Sequence, residues 1–147
     1  MPLDRVTLYS AEVLAHARSP HGTAPIGLVR QSVEVDNPLC GDQVRLSIGL
    51  TQDGTLAVSQ QTRGCALCGA SASWMAHQVH GIPPDSAWTQ SHEITEALSN
   101  LAPLPLLIPR PLHPLFSGLH TAPARRGCVR LPWDALKLAL TQDGVRA

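Results

Sequence analysis

The sequence predicts an α+β fold, a three-stranded antiparallel sheet followed by helices. Three observations carry this. Three short runs between Val33 and Thr62 alternate apolar and polar residues with period two, the signature of half-buried strands. Asp53-Gly54 sits between the second and third runs as a hairpin turn signal, so consecutive strands pair as a meander. From Cys65 to His80 the chain carries no proline and then meets Gly81, a good residue just past a helix end. Strands first and helices afterwards is the α+β order.

Taken in order, the stretch Val6 to His16 reads as a helix, with Asp4 as its N-cap and Leu8, Val13 and Leu14 on one stripe. Ser19 to Pro25 is a loop. Val33 and Val35 mark the first strand. Val44, Leu46, Ile48 and Leu50 mark the second, alternating with Arg45, Ser47 and Gly49. Leu56 and Val58 open the third, which runs to Thr62. A helix starts near Cys65. Asp85 to Leu101 reads as another, capped by Asp85 or Ser86. Leu101 to Pro114 holds five prolines and reads as a covering loop. Pro132 to Leu140 reads as the last helix, with Pro132 in its first turn.

A chain of 147 residues fits one domain, residues 1–147. Apolar residues make up 44%, enough for a core; aromatics are 3%, so that core is built from Leu, Val, Ile and Ala. Formal net charge is zero, without the basic surplus of a phosphate-binding surface, which argues against nucleic acid as a partner. The N-terminus lacks a basic segment followed by an apolar one, and the most apolar stretch is broken by prolines. Neither an export signal nor a membrane span is expected, and a cytoplasmic protein is.

In that compartment spaced cysteines bind metal or do chemistry more often than they form disulfides. There are four: Cys40, Cys65, Cys68 and Cys128. Cys40 and Asp42 flank Gly41 in a turn between two strands, and glycine lets thiolate and carboxylate aim at one centre. Cys65 lies at a strand-to-helix junction, where the positive end of the helix dipole favours thiolate. Cys128 lies just before the predicted last helix. Three thiolates and a carboxylate suit tetrahedral zinc, and equally iron in a nascent cluster. Spacing leaves open both a shared site and separately buried cysteines.

Three segments resemble one family. Asn37-Pro38-Leu39-Cys40-Gly41-Asp42 is similar to the N-P-x-C-G-D signature of the U-type (NifU/IscU/SufU) iron–sulfur assembly proteins. Residues 64–75, GCALCGASASWM, resemble their G-C-x-I-S-x-A-S-A-S-x-M segment. Residues 123–136, PARRGCVRLPWDAL, resemble P-A-R-x-x-C-x-x-L-x-W-x-x-L. The resemblance implies a three-stranded antiparallel sheet with helices packed around it, and metal ligation by Cys40, Asp42, Cys65 and Cys128. Gly127 stands where IscU-type members carry His, and Arg125 lies three before the cysteine. The longer span between Gly81 and Cys128, and the place of Arg125, look like the SufU branch.

That branch implies zinc in the site and Cys40 as acceptor of persulfide sulfur from a SufS-type cysteine desulfurase, a sulfurtransferase role. Other assembly proteins or apo-protein recipients would be further partners. The alternatives are a scaffold that builds a [2Fe–2S] cluster on the same four residues, and a structural zinc domain. Gly127 also departs from SufU-type proteins, which often carry lysine there.

Cys68 stands where the family usually has serine. It reads as a small buried residue, with a second redox thiol or a further ligand as alternatives. Arg125, Arg126 and Arg130 form either a solvated basic patch or a surface for an acidic partner. Ala70 to Ser73 reads as small-residue packing against the sheet, Trp74 and Trp133 as core anchors, and His77 and His80 as solvent-facing or structural.

Overall fold

The computed structural model describes residues 11–39, 41–100, 108 and 123–145. The elements are α1 (Ala11–Arg18), β1 (Gln31–Asn37), β2 (Asp42–Leu50), β3 (Leu56–Arg63), α2 (Ala66–Val79), α3 (Pro84–Asn100) and α4 (Pro123–Gln142). The expected three-stranded antiparallel sheet is present, in the order β1-β2-β3.

β1 pairs with β2 from Gln31↔Ile48 to Asn37↔Asp42, and β2 with β3 from Gln43↔Arg63 to Leu50↔Leu56. Because side chains alternate along a strand, Asp42, Val44, Leu46 and Ile48 share one face of β2, and all four are buried. That face is covered by helices. α2 packs against β3, α1 and α4, while α4 lies across β1 and β2 and against α3. Trp74 of α2 and Trp133 of α4 are buried with ring centroids 5.3 Å apart, tilted by 54°, so both anchor the core as expected. Antiparallel pairing brings the β1–β2 turn and the end of β3 to the same end of the sheet.

The β2–β3 turn closes through Thr51 N–H to Thr55 O at 2.8 Å, with Gly54 at φ 79°. α2 begins just past Cys65 and ends at Val79, with His80 as its C-cap and Gly81 beyond it at φ 86°, where the sequence predicts a helix-ending glycine.

Several boundaries differ from expectation. α4 starts at Pro123, not Pro132, so Pro132 lies inside the helix and Cys128 is part of it instead of preceding it. Lacking an N–H, Pro132 cannot donate to the carbonyl of Cys128, the residue four before it. The helix tolerates this because residues on both sides are held by core packing: Val129, Leu131, Trp133 and Leu136 are all buried. α3 begins at Pro84, with Ala87 N–H bonding Pro83 O at 3.1 Å. Asp85 therefore lies within the first turn, and neither it nor Ser86 is the cap. Leu50, expected inside, is exposed at the strand end. Of the first predicted helix, Val6 to Ser10 and the Asp4 cap lie outside the described residues; so does the Leu101–Pro114 loop apart from Ile108, which is buried in the core.

Candidate metal centre

At the end of the sheet where β1 turns into β2, Gly41 takes φ 73° and its N–H bonds Asn37 O at 2.8 Å. Asn37 Oδ1 accepts the N–H of Leu39 at 3.2 Å, an Asx turn that reverses the chain tightly. The turn delivers Asp42 to the first position of β2, in phase with the core residues, so its carboxylate faces inward. Only 1% of Asp42 is exposed.

Opposite it, β3 ends and Gly64 takes φ 136°, a conformation open to glycine alone. A Cβ on Gly64 would fall on the Asp42 carboxylate, so the missing side chain makes the space the carboxylate occupies. Cys65 is the N-cap residue of α2, and its side chain caps nothing. Its N–H is instead satisfied from across the sheet by Asp42 Oδ1 at 2.9 Å. Asp42 Oδ2 lies 3.9 Å from Cys65 Sγ. α4 crosses this end of the sheet and supplies Cys128, which is completely buried.

One carboxylate oxygen of Asp42 and the sulfurs of Cys65 and Cys128 all lie within 4.8 Å of one another. Ligands bound to a tetrahedral ion at roughly 2.0–2.3 Å stand about 3.3–3.8 Å apart, so a small contraction closes the three on one ion. The donor chemistry fits. Asp42 is a buried carboxylate that forms no ion pair with Lys or Arg among the described residues, and buried charges are paired or coordinate metal. The positive end of the α2 dipole adds to the attraction for anionic ligands.

Of the predicted site residues, Asp42, Cys65 and Cys128 converge, while Cys40 lies outside the described residues. Cys68 is fully buried within the apolar core and is not part of the converging group. Arg125 lies on α4 one helical turn before Cys128 and is half-buried.

Four contacts escape sequence reasoning. Ser71, expected only to pack, donates to the carbonyl of Val129 at 2.6 Å and ties α2 to α4 beside Cys128. Asn37 Nδ2 lies 4.0 Å from Cys128 Sγ. Ser73 likewise makes polar contacts, at 2.7 Å to His16 Nδ1 and 2.8 Å to the His21 N–H. His77 and His80 are exposed. The His77 ring lies against that of His21 at 4.8 Å, and His80 Nδ1 accepts the Val58 N–H at 3.3 Å.

Fold and site together define a small α+β domain that gathers thiols and a carboxylate at one end of a three-stranded sheet. The chain belongs to the family of the NifU-like N terminal domain, whose model matches residues 8–109. Asp42 and Cys65 fall within that match and Cys128 beyond it.

The chain is 27% identical over 139 residues to the zinc-dependent sulfurtransferase SufU of Bacillus subtilis, covering 93% of this chain and 92% of that one. It is 29% identical over 139 residues to the iron-sulfur cluster assembly scaffold protein IscU of Streptococcus pyogenes, covering 92% and 84%. The crystal structure of a NifU-like protein (N-terminal) from Brucella abortus has the same fold, with a TM-score of 0.81 at 23% identity over 98% of this chain and 99% of that one.

Proposed function

We propose that this chain is an iron–sulfur cluster assembly protein of the U type, acting as a zinc-dependent acceptor of persulfide sulfur from a cysteine desulfurase. The observation that supports this most is the convergence of Asp42, Cys65 and Cys128 within 4.8 Å of one another, with Asp42 and Cys128 buried. Cys40, two residues before Asp42, completes a ligand set of three thiolates and one carboxylate. Position 127 is glycine and offers no donor atom, which leaves Cys40 as the candidate for the fourth ligand.

Zinc would keep the thiols deprotonated and masked until a partner exchanges with one of them. Cys40 is the candidate to leave: by sequence it falls in the short link between β1 and β2, whereas Cys65 is the N-cap residue of α2 and Cys128 lies within α4. Freed as thiolate, Cys40 attacks the terminal sulfur of the desulfurase persulfide. A new S–S bond forms on Cys40, the old S–S bond breaks, and the desulfurase cysteine departs as thiolate; the persulfide proton stays on the transferred sulfur. Asp42 stays in place, fixed by the Cys65 N–H.

A second reading, a scaffold that assembles a [2Fe–2S] cluster on the same residues, is supported by the similar likeness to the IscU protein. Metal analysis of protein purified without added metal, combined with a desulfurase sulfide-release assay, separates the readings. About one zinc per chain with stimulated sulfide release supports sulfur transfer. Iron, acid-labile sulfide and visible absorbance that grows on reconstitution support the scaffold. Zinc without stimulation leaves a structural zinc domain. Cys40→Ala abolishes the stimulation while the fold persists; wild-type stimulation by that variant removes Cys40 as acceptor.

A further inference from the structure

We infer that Asn37 is a positioning residue for Cys128, holding its sulfur by an N–H···S hydrogen bond, and that Gly127 is the gap that admits it. The inference rests on the metal-centre reading above. Three observations meet at this point. Asn37 Nδ2 is 4.0 Å from Cys128 Sγ, the long end of the range for a sulfur acceptor. Asn37 Oδ1 accepts the Leu39 N–H at 3.2 Å, and a backbone donor requires the oxygen on that side, so the amide nitrogen necessarily faces the thiol. A Cβ at Gly127 would lie 2.9 Å from that nitrogen, tighter than real contacts allow.

One side chain thus links the β1–β2 turn, through the Leu39 N–H, to the thiol delivered by α4. A neutral N–H on a metal-bound thiolate orients the sulfur lone pair and withdraws electron density from it, as outer partners of metal ligands do. The bond draws closer as the sulfur gains negative charge, because an ionised acceptor makes the stronger hydrogen bond. Gly127 is therefore needed for space: its backbone lies beside the amide, and any other residue there displaces Asn37 from the sulfur.

The test uses the full chain loaded with one equivalent of cobalt(II), which reports thiolate ligation through its sulfur-to-metal charge-transfer bands. Removing the N–H raises the energy of the sulfur lone pair. Asn37→Ala and Asn37→Asp should therefore move the bands to longer wavelength and lose the metal to a competing chelator about tenfold more readily. Asn37→Asp keeps the acceptor for Leu39, so it remains informative if the alanine variant fails to fold. Gly127→Ala should give the same shift with Asn37 present. In the Asn37→Ala/Gly127→Ala double variant the second change should add nothing, since both act through one contact.

Folded variants whose bands and chelator competition match wild type overturn the inference and leave the metal centre standing, as do shifts that simply add in the double variant. Wild-type protein without thiolate bands overturns the metal centre itself, and the inference with it.

Discussion

The hydroxyl of Ser71, in the middle of α2, donates to the carbonyl of Val129 on α4 at 2.6 Å, one residue past Cys128. Pro132 deprives the neighbouring Cys128 carbonyl of its helical donor, so this is where α4 is least held by its own backbone. Ser71→Ala removes the cross-tie. Its expected cost is about 1 kcal/mol, a fall of about 3 °C in Tm for a chain of this size. Thermal unfolding of the metal-free protein checks it, and an unchanged Tm would show that α4 is held by apolar packing alone.

Gly64 and Asp42 form the tightest fit in the site, the carboxylate occupying the volume a side chain would need. Gly64→Ala is disfavoured twice. A non-glycine residue at φ 136° costs about 1–3 kcal/mol, and the methyl group evicts the carboxylate. Urea unfolding should show the loss of stability, and metal analysis should find well under one ion per chain. Retention of a full equivalent would take Asp42 out of the ligand set.

Asp42→Asn separates charge from shape. The amide oxygen still accepts the Cys65 N–H, so the turn and the start of α2 persist, but the anionic ligand is gone. Metal affinity should fall at least about tenfold while the far-ultraviolet circular dichroism stays as in wild type. Equal affinity in a chelator competition would contradict ligation by Asp42.

Cys68 points the other way. Buried in the apolar core and outside the converging group, it acts as a small hydrophobe. Cys68→Ala is expected to cost about 1 kcal/mol through the small cavity left behind and to keep the wild-type metal content. A drop in bound metal would make it a ligand after all.

His16 carries a pH dependence. Burial lowers its pKa below the ordinary histidine value, and the nearby His21 and His77 rings lower it further. Ser73 contacts its Nδ1. A depressed pKa means the unfolded chain binds the proton more readily, so stability rises with pH across the interval between the two values. The contribution is complete above about 6.5 and is lost as the pH falls through the folded-state value. Unfolding free energy measured from pH 7.5 downward should decline, and His16→Gln should flatten the decline. An identical slope in both proteins would assign the pH dependence elsewhere.

The sequence places Asp42 in the turn; the structure makes it the first residue of β2, and the phase it shares with Val44, Leu46 and Ile48 turns it inward, since period two decides which face a side chain takes. Cys65 at a helix start was readable in the sequence, from the run of residues without proline that follows it. The start of α4 differs because Pro132 looks like a first-turn residue, and local preference yields when the flanking residues are buried against the sheet and α2.

The sequence alone determined the strand pattern, the α+β order and the set of residues suited to hold metal, since these follow from local periodicity and side-chain chemistry. Which of them meet was decided by tertiary structure. Asp42 and Cys65 are joined by antiparallel register, and Cys128 arrives only because α4 crosses the same end of the sheet. The roles of Ser71, Asn37 and Gly127 belong to that second class. Each rests on a contact spanning more than fifty residues of chain, a separation that no local pattern encodes.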